Sequence, residues 1–225
     1  MWQARRRGRR FFCWSLLVAA VVAAGCAKKP PKAEEVLEGS GVPKTLERDL
    51  APFTALHVGG VVEAKVTLGK PHLLLRGDEN LVSALEVTAA GERLALVQPT
   101  AFKPKMTLSA EISGPELAEI IVDVASRTTV EGLHAQKLSV RGGGAARLSL
   151  AGTVDELTLA SRGVVAFDLT NLAVRRARVK VLDAVSVTFG SVEELDVETH
   201  GAALVSYQGE TKVTRSVGRA PSRRP

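Results

Sequence analysis

Short apolar–polar–apolar triplets recur along the chain from Leu117 to Gly209. One set reads Ile120-Ile121-Val122, Leu138-Ser139-Val140, Leu157-Thr158-Leu159, Ala177-Arg178-Val179 and Leu195-Asp196-Val197, with starts 18, 19, 20 and 18 residues apart. A second triplet begins ten residues after each start: Val130-Glu131-Gly132, Leu148-Ser149-Leu150, Phe167-Asp168-Leu169, Val187-Thr188-Phe189 and Val205-Ser206-Tyr207. Bends intervene at Gly142-Gly143-Gly144, Ser161-Arg162-Gly163, Leu182-Asp183-Ala184 and Thr199-His200-Gly201. A period of two within each triplet is that of a strand with one buried face. A period near 19 with two strands per unit predicts an all-β fold, a β-solenoid with coils of about 18–20 residues. No coil can bury its apolar face alone, so stacking at about 4.8 Å must place like residues on like.

The same reading sorts the columns. First and third triplet positions face inward. The middle positions Ser139, Thr158, Arg178 and Asp196, and Glu131, Ser149, Asp168, Thr188 and Ser206, face outward. The next position reads Asp123, Arg141, Ala160, Lys180, Glu198, whose opposed charges can pair between neighbouring coils, each such pair contributing at most about 1 kcal/mol. Phe167, Phe189 and Tyr207 fall in inward columns and belong to the core.

Upstream, Leu56-His57-Val58 and Val66-Thr67-Leu68 repeat the two-triplet arrangement. Leu85-Glu86-Val87 and Leu94-Ala95-Leu96 fit a hairpin around Ala90-Gly91-Glu92 or another coil. Met106 to Ile112 alternates as a strand, and Leu81 to Val87 allows one helical turn. One domain is expected over 46–214, followed by a disordered basic tail over 215–225.

Charge changes the picture at the N-terminus. The formal net charge is +6, but Arg5, Arg6, Arg7, Arg9 and Arg10 precede an apolar run from Phe11 to Ala24, the pattern of a secretion signal. That run is shorter than the roughly 20 apolar residues of a membrane span. It ends in Ala23-Ala24-Gly25-Cys26, which resembles a bacterial lipobox. Residues 1–25 are therefore expected to be a lipoprotein signal peptide, Cys26 the lipidated residue, and 26–45 a Pro/Lys-rich tether. Acyl chains on Cys26 would anchor the protein to a membrane, and Ala27 after the Cys favours the outer membrane. Removal of the signal leaves 25 of the 30 basic residues against 24 acidic ones, which excludes an electrostatic case for nucleic-acid binding. The only other cysteine, Cys13, lies inside the signal, so no internal disulfide or Cys-based metal site is expected.

These residues together resemble the auto-transporter adhesin head GIN domain family over about 46–214. The resemblance rests on Glu47-Arg48-Asp49-Leu50 with Phe53, on Gly77-Asp78-Glu79-Asn80-Leu81, and on units such as Gly144-Ala145-Ala146-Arg147-Leu148-Ser149-Leu150 and Gly201-Ala202-Ala203-Leu204-Val205-Ser206-Tyr207. It implies a single-stranded, right-handed parallel β-helix and an adhesin-like role, with no catalytic residues to carry over.

Candidate chemistry is sparse. His57, His72, His134 and His200 lack metal-ligand spacing and read as surface or turn residues. Asp78-Glu79 is the best carboxylate pair, expected as solvated turn residues that would need further oxygens to bind Ca²⁺. Glu193, Glu194, Asp196 and Glu198 form an acidic edge. Asp168 and Glu131 share an outward column two coils apart, a spacing of about 9–10 Å that an inverting glycosidase could use. No nucleophile elbow or phosphate loop is present. The expectation is a non-enzymatic envelope lipoprotein without cofactor, contacting a surface protein or polysaccharide. The alternative is a carbohydrate-binding or carbohydrate-active β-helix acting on envelope polysaccharide.

Overall fold

The computed structural model describes residues 36–224. The expected signal peptide, Cys26 and the first part of the tether lie outside the described residues. The elements in order are β1 (Val36–Glu38), β2 (Pro43–Asp49), β3 (Ala55–Gly59), β4 (Glu63–Leu68), β5 (His72–Asp78), α1 (Glu79–Ala84), β6 (Glu86–Ala90), β7 (Arg93–Val97), β8 (Ala101–Lys103) and β9 (Ser109–Gly114). There follow β10 (Glu119–Asp123), β11 (Arg127–Gly142), β12 (Arg147–Ser161), β13 (Ala166–Val181), β14 (Ser186–Thr199), β15 (Leu204–Gln208), β16 (Lys212–Val217) and β17 (Ser222–Arg223). Among the described residues the fold is all-β with one short helix, large sheets and no closed barrel.

Parallel pairing of residues about one repeat apart dominates. One file runs β7–β3–β10, then through the second halves of β11, β12, β13 and β14 to β16. Another runs β9–β4, then through the first halves of the same long strands to β15 and β17. Within the first file Val140, Leu159, Val179 and Val197 lie in register, and with Val122 all five are buried. Their burial follows from alternation: each apolar side chain covers the one in the rung beside it, which no single rung could do. Phe167 and Phe189 fill the core, and Tyr207 packs partly buried against it.

The bends also stack. Val124, Gly144, Gly163, Asp183 and Gly201 all have positive φ, between 61° and 106°. Gly144 needs its missing side chain, because a Cβ would stand 2.6 Å from the Val124 carbonyl of the preceding rung. Asp183 tolerates the left-handed conformation, as Asp does more readily than most residues. Val124 is the outlier, a half-exposed β-branched residue in a region such residues rarely enter.

Several expectations are corrected. The first repeat is longer than its triplet starts suggest, since Ile120 pairs with Val140 and Val130 with Leu150. The slip is two residues, so every side chain keeps its face. The parallel pattern also does not extend over all of 46–214. β5 lies antiparallel to both β2 and β9, and β6 is antiparallel to β7. The two-residue turn Gly91-Glu92 leaves no length for a parallel crossover, so the hairpin, not another coil, forms there. The helical turn is Glu79–Ala84, earlier than the Leu81–Val87 window. The expected tether is partly built into the fold, with β1 on β8 and β2 on β5. Nor is the basic tail outside it: β16 pairs with β14 and β17 with β15.

Asp78 is also not a solvated turn residue. It is fully buried, and its carboxylate accepts hydrogen bonds from the backbone N–H groups of Gly41 (2.6 Å), Lys105 (3.0 Å) and Met106 (3.0 Å). Asn80 accepts from Ser40 N–H and donates to the Glu38 carbonyl. The Gly77–Leu81 motif is thus a clamp joining the 39–41 and 104–106 loops.

The hydrogen bond from Met106, followed by those from Gly41 and Lys105, holds the Asp78 carboxyl below its ordinary value. Because the folded value lies below the unfolded one of about 3.9, the stabilisation is present above that pH and is lost as pH falls through the folded value. Thermal melts from pH 7 to 2.5 should show the wild type losing stability below about pH 4, while Asp78→Asn starts lower and declines less steeply. Two buried hydroxyls, Ser126 Oγ and Thr128 Oγ1, have no hydrogen-bond partner. Ser126→Ala and Thr128→Val should each raise stability by about 1 kcal/mol in urea titrations, since an unpaired buried polar group is removed at nearly constant shape.

Candidate functional surface

Alternation turns every second side chain of the long strands to solvent, and parallel register places these side chains one rung apart. Thr129, Ser149, Asp168 and Thr188 form one such file, whereas Ser206, expected to face outward and in register with Thr188, is buried, its hydroxyl donating to the Val187 carbonyl and to Thr188 Oγ1. Glu131 does not belong to it. The two-residue slip moves Glu131 opposite Thr67 of β4, where it pairs with Lys65 at 3.1 Å. Asp168 instead accepts hydrogen bonds from the backbone N–H (3.1 Å) and hydroxyl (2.6 Å) of Thr170. The expected carboxylate pair is therefore not brought together, and the stepwise geometry of a glycosidase site goes with it.

Carboxylates of the other file alternate with cations along the stack. Glu119 sits between Arg93 (2.8 Å) and Arg141 (3.7 Å), and Glu156 between Lys137 (3.5 Å) and Arg176 (2.7 Å). Asp196 pairs with Arg178 at 3.7 Å, and Lys212 reaches back to Glu194 at 3.5 Å. Glu198 meets His200 and Lys180, each at 3.1 Å. Hydrogen bonds from His200 and then Lys180 lower its carboxyl below the ordinary range. Of the expected charge column, Lys180–Glu198 pairs as foreseen. Asp123, displaced by the slip, faces His57 of β3 at 3.4 Å. The acidic edge at Glu194, Asp196 and Glu198 is thus neutralised rung by rung.

The histidines are scattered. His72 sits between Glu47 (3.1 Å) and Asp49 (3.3 Å), and His134 contacts the Thr153 hydroxyl at 2.9 Å. Among the described residues no group of three or more His, Cys, Asp or Glu side chains is placed to hold a metal ion. No helix of the described residues is long and apolar enough to cross a membrane.

Sequence reasoning missed one feature, a groove of ≈ 550 Å³ along the stacked bends. Ala125, Ala145, Ala166 and Ala184 line it together with Val61, Val164, Arg127 and Arg147. The signal was present in the chain, because small residues recur beside each bend. Only the stacking shows that they run into one another. Val164 on the lining is 65% exposed, and Glu63, also on the lining, pairs with Arg127 at 3.2 Å, so the groove carries apolar surface beside Arg147 and an already paired Arg127.

The family described as "Putative auto-transporter adhesin, head GIN domain" matches residues 52–211. No curated protein matches the chain. Among solved structures, a putative adhesin from Bacteroides fragilis NCTC 9343 is similar with a TM-score of 0.65 at 20% identity, covering 83% of this chain and 99% of its own. A putative adhesin from Parabacteroides merdae ATCC 43184 gives 0.55 at 15% identity, covering 85% and 99%. A putative lipid binding protein from Parabacteroides distasonis ATCC 8503 gives 0.53 at 15% identity, covering 85% and 100%. At these identities the structural likeness is one of fold. The family match spans more than half of the chain, and the protein belongs to the auto-transporter adhesin head GIN domain family.

Proposed function

We propose that the protein is a non-enzymatic adhesin of the cell envelope. In this reading the stacked rungs form a right-handed parallel β-helix, and lipidated Cys26 tethers it to the outer membrane. The observation that carries the reading is the regular outward file Thr129–Ser149–Asp168–Thr188, polar groups repeated at one-rung spacing on a face held rigid from beneath. Such a face supports many weak contacts to a repetitive partner, a surface protein or a polysaccharide, whose sum exceeds any one of them. The family description and the pairing of residues about 19 apart support it, as does the lipobox-like Ala23-Ala24-Gly25-Cys26. Cells carrying Cys26→Ser should release the folded protein into the medium and lose attachment to the surfaces that wild-type cells colonise. Unchanged attachment by a strain lacking the whole gene would sink the adhesive reading, and retention of Cys26→Ser in the membrane fraction would sink the anchor.

A second reading draws on the bend-side groove. Its alanine-rich lining and Arg147, with Arg127 held by Glu63 on the same lining, suit an acyl chain with an anionic head, in line with the name of the Parabacteroides distasonis structure. Ala145→Trp, which fills the groove, should abolish binding of a fluorescent fatty acid if the groove is the site. Wild-type protein that leaves the probe's emission unchanged would rule this reading out.

A further inference from the structure

One column beside the bend-side groove holds two cations for a single anion. Glu63, Arg127 and Arg147 stand in register on β4, β11 and β12, and the column continues through Ala166 and Ser186. Glu63 pairs with Arg127 at 3.2 Å. The exposed Arg147 has Arg127 on one neighbouring rung and Ala166 on the other, and among the described residues it forms no ion pair. Like charges side by side on adjoining strands are unfavourable. Asp168, two positions beyond Ala166, does not relieve them, because its carboxylate accepts from the Thr170 N–H and hydroxyl.

Cations beside the other surface hollows are answered by the protein itself. Lys65 pairs with Glu131, Lys137 and Arg176 with Glu156, and Arg178 with Asp196. Arg147 is the one left over, and it lines the groove of ≈ 550 Å³. Ser126, whose buried hydroxyl has no hydrogen-bond partner, lines the same groove. The groove also has a polarity. On the β4 side of Arg147 it carries the Glu63–Arg127 pair, whereas beyond Arg147 it is lined by Val164, Ala166 and Ala184, with Val164 65% exposed. A ligand with one charged end and a hydrocarbon body matches that order. An acidic sugar does not, since its hydroxyls would meet aliphatic side chains that offer no hydrogen bond.

We propose that Arg147 is the specificity-determining residue of the groove, holding the carboxylate of a fatty acid whose chain lies over Val164 and Ala184, away from Glu63. The inference rests on the acyl-chain reading of the groove and adds to it the residue that selects the ligand's charge and the direction in which the chain runs. Arginine suits the task because its planar fork pairs bidentately with a carboxylate and keeps its charge at any physiological pH. The bound carboxylate restores the arrangement seen at Glu119 and Glu156, where an anion meets the cations of neighbouring rungs. Without ligand, Arg147 opposes Arg127 and lowers the stability of the fold. An arginine that destabilises the free protein and strengthens binding is set apart from one that only supports the sheet.

The full chain, in a neutral detergent with protein-free detergent as the blank, is titrated with dansyl-undecanoate and with the methyl ester of the same probe. The acid should bind about tenfold or more tightly than the ester, the difference expected for a hydrogen-bonded charge pair. Arg147→Gln keeps the side-chain stem and removes the charge. It should lose that preference, binding acid and ester alike, while melting no lower than the wild type in the absence of ligand. Arg147→Lys should keep most of the preference, and Arg48→Gln, a change to an exposed cation on β2, should bind both probes as the wild type does. Equal binding of acid and ester by the wild type overturns the proposal and leaves the acyl-chain reading standing, whereas failure of both probes to bind rejects the two together. A melting temperature of Arg147→Gln well below that of the wild type overturns it as well, because the arginine would then serve the fold. Displacement of the acid by an equal concentration of galacturonate would assign Arg147 to an acidic sugar and overturn the lipid assignment.

Discussion

Parallel backbone pairing between rungs is the constraint from which the rest follows. Hydrogen bonds between residues about one repeat apart fix the separation of neighbouring strands at about 4.8 Å, and that separation brings Val140, Leu159, Val179 and Val197 into direct contact. The apolar gain is shared: each side chain is dry because its neighbours on both sides are in place. Stability of this kind is close to a sum of nearest-neighbour terms, which lets the stack grow along one axis without a wider core. The same spacing decides the outside. Polar side chains form files, carboxylates face cations one rung away, and bends superpose so closely that Gly144 has no room for a Cβ against Val124.

The ends of the stack need different solutions. At the first rung the antiparallel hairpin β6–β7 closes one file, and the antiparallel set β2–β5–β9 closes the other. Asp78 holds this cap together with three backbone donors, so a motif that reads as a pair of turn carboxylates is a buried clamp. At the other end β16 pairs with β14 and β17 with β15, and the basic side chains of these two strands are exposed. Charged residues on a terminal strand oppose edge-to-edge association. Between these ends the slip leaves Glu131 and Asp168 in different columns.

Much of this was legible in the chain. Alternation within triplets sorted inward from outward residues except at Ser206, which is buried, and recurrence near 19 predicted which of them share a column from Leu138 onward. Both signals survive without tertiary information because they express the strand's period of two and the need of each rung for a neighbour. The hairpin around Gly91 was one of two alternatives, and turn length decided it. The charge pair Lys180–Glu198 followed directly from the column assignment.

Tertiary structure decided what depends on absolute register and on distant partners. The first repeat spans 20 residues where its triplet starts differ by 18, and alternation is blind to a slip of two because both registers bury the same face. That slip alone separated Glu131 from Asp168 and paired Glu131 with Lys65. Burial of Asp78 was equally hidden, since its donors come from loops 37 residues before it and up to 28 after it. The alternation of side chains, the repeat and its apolar columns are local or periodic, so the sequence by itself determined them. The clamp, the capped ends and the continuous groove arise only when segments remote in the chain are brought face to face.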